Sequence, residues 1–281
     1  MQIIPLSEHT GADILGVDVR KLTDAQFKPL YQAWIDRCVV RIRGQQLDVN
    51  DLQHFSARFG PLETMPQWAR MSEEAQSRIP NKYVTVISNI VVDGKPIGGL
   101  GNAEASWHSD MTYNEVPPTA SVLLGVEVPP AGGDTHFANQ FAAYEAMPAT
   151  LKKRVEDLTI KHDAAHTSVG ELRSTYTEPA SPVEAPGAVH PVVMTHPENG
   201  RKALFLGRRD LAYIPGLSLE DSESLLDEIW SYAAPPKFVW TQKWHVGDVV
   251  IWDNRSALHR RDGFDQSQRR LMRRCQVLAQ Q

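Results

Sequence analysis

The amino-acid sequence predicts a mostly β protein with inserted helices, an α+β chain built on a barrel or jelly roll. Three observations carry this reading. Short β-branched runs such as "ASVLLGVEV", "GDVVIWDN" and "RRLMRRCQV" recur along the chain, separated by turns rich in Pro and Gly. Helical spacing is confined to the start, the middle and one late segment, without regular strand–helix alternation. No Gly-rich phosphate loop follows a strand, which argues against a dinucleotide-binding sheet.

Element by element, "LTDAQFKPLYQAWIDRC" places Phe27, Leu30, Tyr31 and Trp34 on one helical side, with Thr23 or Asp24 as cap. "VVRIRG" follows as a short strand closed by Gly44, and "DVNDLQHFSARFG" as a second capped helix. "KYVTVISNIVV" reads as one strand, and "DGKPIGGLGNAEA", with four glycines, as a mobile loop. A helix pair is expected at "FAAYEAMPATLKKRVEDL", an irregular connection at "EPASPVEAPGAVHP", and a hairpin turning at Glu198-Asn199-Gly200. One more helix, "LEDSESLLDEIWSYA", precedes three final strand-like runs, beginning with "KFVWTQKW". No repeat and no domain boundary is visible, so residues 1–281 are expected to form a single domain.

A chain of 281 residues buries enough surface to need no disulfides. Its net charge of −5 argues against a nucleic-acid partner. The two cysteines, Cys38 and Cys275, lack metal or redox spacing, which suggests a reduced, cytoplasmic protein. No signal peptide and no membrane helix is expected.

The stretch "SWHSDMTY" sets His108 and Asp110 two residues apart, so on a strand both side chains share a face. An imidazole nitrogen and a carboxylate oxygen can take adjacent corners around a metal. Of the ten histidines, His259 stands out, because in "VVIWDNRSALHRR" it follows a buried-looking strand and a polar turn. Two His and one carboxylate leave three coordination positions open, the arrangement of non-haem Fe(II) oxygenases. In "QRRLMRRCQV", alternation puts Arg270, Met272 and Arg274 on one face, with the two guanidiniums roughly 13 Å apart. Turned inward, they would receive anions, since unpaired buried arginine is costly.

The sequence resembles the taurine/2,4-D dioxygenase (TauD/TfdA) family of Fe(II)- and 2-oxoglutarate-dependent oxygenases. His-x-Asp, then "GGDT", then "WDNR…H" and an Arg at the family's distance carry the resemblance, which spans nearly the whole chain. It implies a double-stranded β-helix, a cupin-like jelly roll, and assigns His108, Asp110 and His259 as iron ligands. It implies that Thr135 and Arg270 hold the distal carboxylate of 2-oxoglutarate. Arg274 would assist the other end of that cosubstrate or the substrate's anionic group. The implied reaction uses O2, releases succinate and CO2, and hydroxylates an unactivated C–H bond. Desaturation, epoxidation or ring formation are alternative outcomes on the same cofactors. An intact Asp110 argues against halogenation, which needs that position vacated for chloride.

Met65, Trp68, Trp107, Met111 and Tyr113 are candidates to edge the substrate cavity. Glu104 stands where taurine-degrading members place Asn, four residues before the first ligand, and the amine- and sulfonate-binding set is incomplete. "WDNRSALHRR" is closer to the aryloxyalkanoate-degrading branch. A small anionic substrate with an apolar body, carboxylate rather than sulfonate, is therefore expected, and the family implies a homo-oligomer. Two readings from other classes compete: a metal-binding cupin-like anion sensor without turnover, and a hydrolase. The cosubstrate grip of Thr135 and Arg270 weighs against the sensor. The hydrolase lacks a nucleophile.

Overall fold

The structure, a computed structural model, describes residues 1–65 and 68–279. In chain order the first half contains β1 (Gln2–Pro5), β2 (Ala12–Leu15), α1 (Asp24–Arg37), β3 (Val39–Ile42), α2 (Val49–Ser56), α3 (Glu73–Ser77), β4 (Thr85–Ser88), β5 (Val91–Val92), β6 (Lys95–Pro96), β7 (Gly99–Leu100), β8 (Ala105–His108), β9 (Ala120–Glu127) and β10 (Thr135–Asn139). Then come α4 (Gln140–Ala146), α5 (Ala149–Val155), β11 (Thr159–Lys161), β12 (Val189–Pro191), β13 (Val193–Thr195), β14 (Lys202–Leu204), α6 (Leu219–Ala233), β15 (Val239–Gln242), β16 (Val249–Asp253), β17 (Ala257–Arg261) and β18 (Leu271–Val277). An eight-stranded sheet runs β1-β2-β3-β16-β9-β18-β4-β7, and a four-stranded sheet runs β15-β10-β17-β8.

Period-two alternation explains how these sheets stack. Along β16, Val249 and Ile251 face one way, joining Leu30, Trp34, Leu52 and Phe55 of α1 and α2. Val250 and Trp252 face the other way, where Leu123 and Met272 meet Phe137, Trp240 and Ala257 of the smaller sheet. On the far face of that sheet, Ala138 and Leu258 pack against Leu151, Leu225, Leu226 and Ile229 of α5 and α6. The order is therefore helices, large sheet, small sheet, helices, with a shared apolar interior between the sheets. Among the described residues no helix is long and apolar enough to cross a membrane.

The helices follow their caps. Thr23 accepts from Gln26 N while the Gln26 side chain reaches back, a capping box, and Asp48 does the same with Asp51. The expected hairpin turn at 198–200 joins β13 to β14. Two segments differ from expectation. "KYVTVISNIVV" breaks after Ser88, because the Asn89 side chain accepts from Arg270 N (2.9 Å) and donates to Gln268 O (2.8 Å). The glycine-rich segment expected as a loop holds a small hairpin, β5 against β6, turning at Asp93 (φ +50°) and Gly94 (φ +74°). The β1–β2 hairpin has no alternating signal in sequence, since every residue of β1 is exposed.

Candidate active site

His108 closes β8, and His259 is the third residue of β17. The two are register partners, so their rings meet with centroids 4.1 Å apart. The His108 Nδ1 lies 2.7 Å from Ser106 O. A carbonyl only accepts, so Nδ1 carries the proton and Nε2 is left with a free lone pair. Asp110 corrects the sequence expectation that both residues sit on one strand: β8 ends at His108, and Asp110 lies in the following turn. What aims it is Asn254, whose Oδ1 accepts from Asp110 N (2.6 Å) and whose Nδ2 donates to Asp110 O (2.7 Å). Ser121 Oγ of β9 then donates to Asp110 Oδ2 (2.7 Å). The Nε2 atoms of both histidines lie 3.8 Å from Asp110 Oδ1, and one potential ligand atom from each of the three residues falls within a 4.8 Å cluster.

The electrostatics suit a cation. Burial pushes His259 down to about 3 and lowers His108 as well, so both imidazoles are neutral donors. Burial alone would raise Asp110, but the Arg274 charge and the hydrogen bond from Ser121 hold its carboxyl below the usual carboxylate range, so it is ionised. Two neutral nitrogens and one anionic oxygen make a donor set that could hold a divalent metal ion.

The three residues open onto a cavity of about 720 Å³. Apolar groups from Met65, Ile87, Leu100 and Met111 line it, together with Tyr113 and four arginines: Arg173, Arg208, Arg273 and Arg274. Arg274 Nη1 lies 3.4 Å from Asp110 Oδ1, which places its charge beside the metal-ligand cluster. Arg208 is tied to Asp163 (2.6 Å), whereas Arg173 lies over the Tyr113 ring at 4.6 Å. Arg273, assigned to the opposite face by alternation, also reaches this cavity. Met111 is held at φ +52° in the turn after Asp110.

Thr135 and Arg270 are not among the residues lining that cavity. Both are buried, at 4% and 2% exposure. Arg270 immediately precedes β18, whose pairing with β9 shifts register between Leu271 and Met272, with Val126 of β9 as the extra residue. Among the described residues its Nε has no partner, its Cζ lies 6.0 Å from the Phe264 ring centroid, and the charge acting on it is another arginine, Arg261. Burial and that like charge push it down to about 9. Such a group is a ready receptor for an anion.

Of the remaining sequence candidates, Met65, Met111 and Tyr113 line the cavity, whereas Trp68, Trp107 and Glu104 do not. Trp107 packs towards His136 and under Arg260, and Glu104, with its side chain 65% exposed, pairs with Arg260. Glu104 thus lies on an outer edge, outside the cavity lining. Sequence reasoning missed Ser121, Asn254 and Arg261. Ser121 had a signal, a lone hydroxyl at an inward position of an otherwise apolar strand.

A profile of the family described as taurine catabolism dioxygenase TauD, TfdA family matches residues 2–276. The chain belongs to this family. The chain is similar to the alpha-ketoglutarate-dependent 2,4-dichlorophenoxyacetate dioxygenase of Cupriavidus pinatubonensis, at 34% identity covering 98% of this chain and 96% of that protein. It is 33% identical to the (S)-phenoxypropionate/alpha-ketoglutarate-dioxygenase of Sphingobium herbicidovorans, covering 96% of this chain and 92% of that protein. The crystal structure of AAD-2 in complex with Mn(II) and N-oxalylglycine superposes with a TM-score of 0.80 at 29% identity, covering 100% of this chain and 98% of that one. Membership of the TauD/TfdA family makes the chain a 2-oxoglutarate-dependent dioxygenase, with Fe(II), 2-oxoglutarate and O2 as the cofactor and cosubstrates of its class. That disposes of the hydrolase and of the sensor without turnover.

Proposed function

We propose that the protein hydroxylates an unactivated C–H bond of a small aryloxyalkanoate-like carboxylate, with succinate and CO2 as coproducts. The observation that carries this is the cavity itself: an apolar wall of Met65, Ile87, Leu100 and Met111, with Arg274 beside the ligand cluster to take a carboxylate. The relatives named for phenoxy acids support the same substrate class. In this reading His108, Asp110 and His259 hold Fe(II), which with 2-oxoglutarate and O2 supplies the oxidising power for the C–H bond. Thr135 and Arg270 take the distal carboxylate of the cosubstrate, for which the uncompensated burial of Arg270 is the supporting fact.

The chain's own residues then have defined tasks. Ser121 fixes the Asp110 carboxylate, and Asn254 its backbone, before any metal arrives. Arg274 orients the substrate's anionic end or the near end of the cosubstrate, and the apolar wall excludes water from the reacting carbon.

We also read residues 1–281 as one domain folded as a double-stranded β-helix. Strands from the N-terminus, β1 to β3, and the last strand, β18, share the larger sheet, which supports this. Two free, buried cysteines fit a reducing, cytoplasmic setting. A homo-oligomer is proposed by resemblance alone, and sedimentation velocity tests it.

The test is anaerobic titration of apoprotein with Fe(II) and 2-oxoglutarate, following the visible charge-transfer band. Phenoxyacetate, taurine and a linear alkyl sulfonate are then compared by coupled succinate release and product mass. Expected are a band, turnover with phenoxyacetate and a product heavier by one oxygen or its breakdown pair. Turnover confined to the sulfonates would sink the substrate assignment. A product lighter by two hydrogens would replace hydroxylation with desaturation or ring closure.

A further inference from the structure

Two residues past His259 on β17 stands Arg261. It is 7% exposed and, like Arg270, has no carboxylate acting on it. Its register partner on β10 is Thr135, so the two side chains leave neighbouring strands on the same face. Its Nη2 donates to Leu100 O at 3.0 Å and to Ala103 O, while its buried Nε has no partner among the described residues. Arg261 Cζ lies 5.7 Å from the Phe264 ring centroid, the same ring that Arg270 approaches at 6.0 Å.

One carbonyl gripped by Arg261, that of Leu100, belongs to a wall of the substrate cavity, and the other, that of Ala103, follows on the same segment. Ile97, Gly98, Gly99 and Leu100 all line the cavity. The segment has little holding it otherwise: β7 pairs with β4 over two positions only, Leu100 and Gly101 both have positive φ, and Asn102 exchanges two bonds of 3.3 Å with Phe264. The Arg261 fork is thus a principal tether of residues 99–103, and it stands beside a second buried guanidinium of the same charge.

Two like charges with no carboxylate partner among the described residues oppose each other in a buried site, and an anion between them removes that opposition. We propose that Arg261 is a positioning residue that links arrival of the cosubstrate's distal carboxylate to the ordering of the cavity wall at residues 99–103. The inference rests on Thr135 and Arg270 being the seat of that carboxylate. With the anion in place, Arg261 is drawn to the cradle and its two carbonyl bonds hold the wall. Without it, repulsion from Arg270 works against the tether, and the wall is looser. The substrate pocket is therefore completed by the cosubstrate, through a residue that touches the wall backbone rather than the reacting atoms.

The experiment uses full-length protein loaded with Mn(II), with 2-oxoglutarate as the probe and no turnover required. Calorimetry gives cosubstrate affinity, and hydrogen exchange gives protection of the peptide spanning residues 97–104 with and without 2-oxoglutarate. In the wild type, 2-oxoglutarate is expected to slow exchange in that peptide. Arg261→Met is expected to bind the cosubstrate roughly tenfold more weakly, and the peptide's response to it should vanish. Arg261→Lys keeps the charge but not the fork, so it should bind 2-oxoglutarate nearly as well and still lose the ligand-dependent protection. A merely structural role would lower protection equally with and without ligand, and that result overturns the proposal. So does wild-type affinity with wild-type protection in both variants. If Arg270→Ala instead binds 2-oxoglutarate normally, the seat itself is misassigned and the proposal falls with it.

Discussion

Arg270 is fixed at its backbone by Ser88 and Asn89 and carries a guanidinium with an unpartnered Nε and no carboxylate nearby. Its replacement by alanine removes a charge-assisted contact to the distal carboxylate and relieves a buried like-charge pair. Isothermal titration with 2-oxoglutarate should show affinity weakened by about 1.5–3 kcal/mol in Arg270→Ala, with the protein still folded. Unchanged affinity would mean that the carboxylate sits elsewhere. At this scale the sequence was informative where residue type and spacing carry the chemistry: His108, Asp110, His259, Thr135 and Arg270 stand out by pattern and resemblance. It was uninformative where a side chain acts through a partner far along the chain. Asn254 reaches Asp110 across 144 positions, and no local pattern announces that. Glu104 shows the converse, a residue singled out by alignment whose side chain turns to Arg260 on the outside.

The elements were legible in proportion to their local signals. Helices α1, α2 and α6 begin beside side chains that cap them, and their apolar stripes face a sheet, so caps and spacing located them. The capping box of α1 lies on the outer helical layer, away from the cavity. Thr23→Ala should therefore lower stability by about 1 kcal/mol in urea unfolding while leaving cosubstrate affinity untouched. A change in that affinity would tie α1 to the site in a way the packing does not show. Strands were legible where both faces are buried, as in β9 and β16, and illegible where pairing depends on a distant partner. The break after Ser88 exists because Asn89 bonds to residues 268 and 270, and β9 bulges at Val126 because the consecutive Leu271 and Met272 of β18 face Glu127 and Gly125. Alternation groups Arg270 with Arg274, and of the two it is Arg274 that lines the cavity.

Across the whole molecule, burial of histidines is what the sequence could not convey. His162 is 2% exposed, neither of its ring nitrogens has a partner among the described residues, and burial pushes it down to about 3 from 6.5. His259 is depressed to about 3 as well, and His108 in the same direction. A base whose pKa is lower in the folded chain leaves the unfolded chain binding the extra proton between the two values. Stability of the apoprotein should thus be full above about pH 6.5 and fall as the pH drops towards about 3. His162→Gln should flatten that fall by at most about 1.4 kcal/mol per pH unit, read from urea midpoints at several pH values. An unchanged slope would mean that His162 takes up its proton while folded.

The ligand cluster also straddles the two sheets. His108 and His259 hang from the smaller one, whereas Asp110 is held by Ser121 and approached by Arg274, both on the larger one. An ion bound there fastens the sandwich shut, and only the folded chain presents all three ligands. Saturation at a hundred times Kd would add about 2.7 kcal/mol to stability. Mn(II) should raise the melting temperature of the wild type and leave that of Asp110→Asn nearly unmoved; equal shifts in both would place the ion elsewhere. If the fastener is real, scarcity of iron does more than idle the enzyme. The empty chain opens more often, proteases meet it more often, and the cell holds less of it.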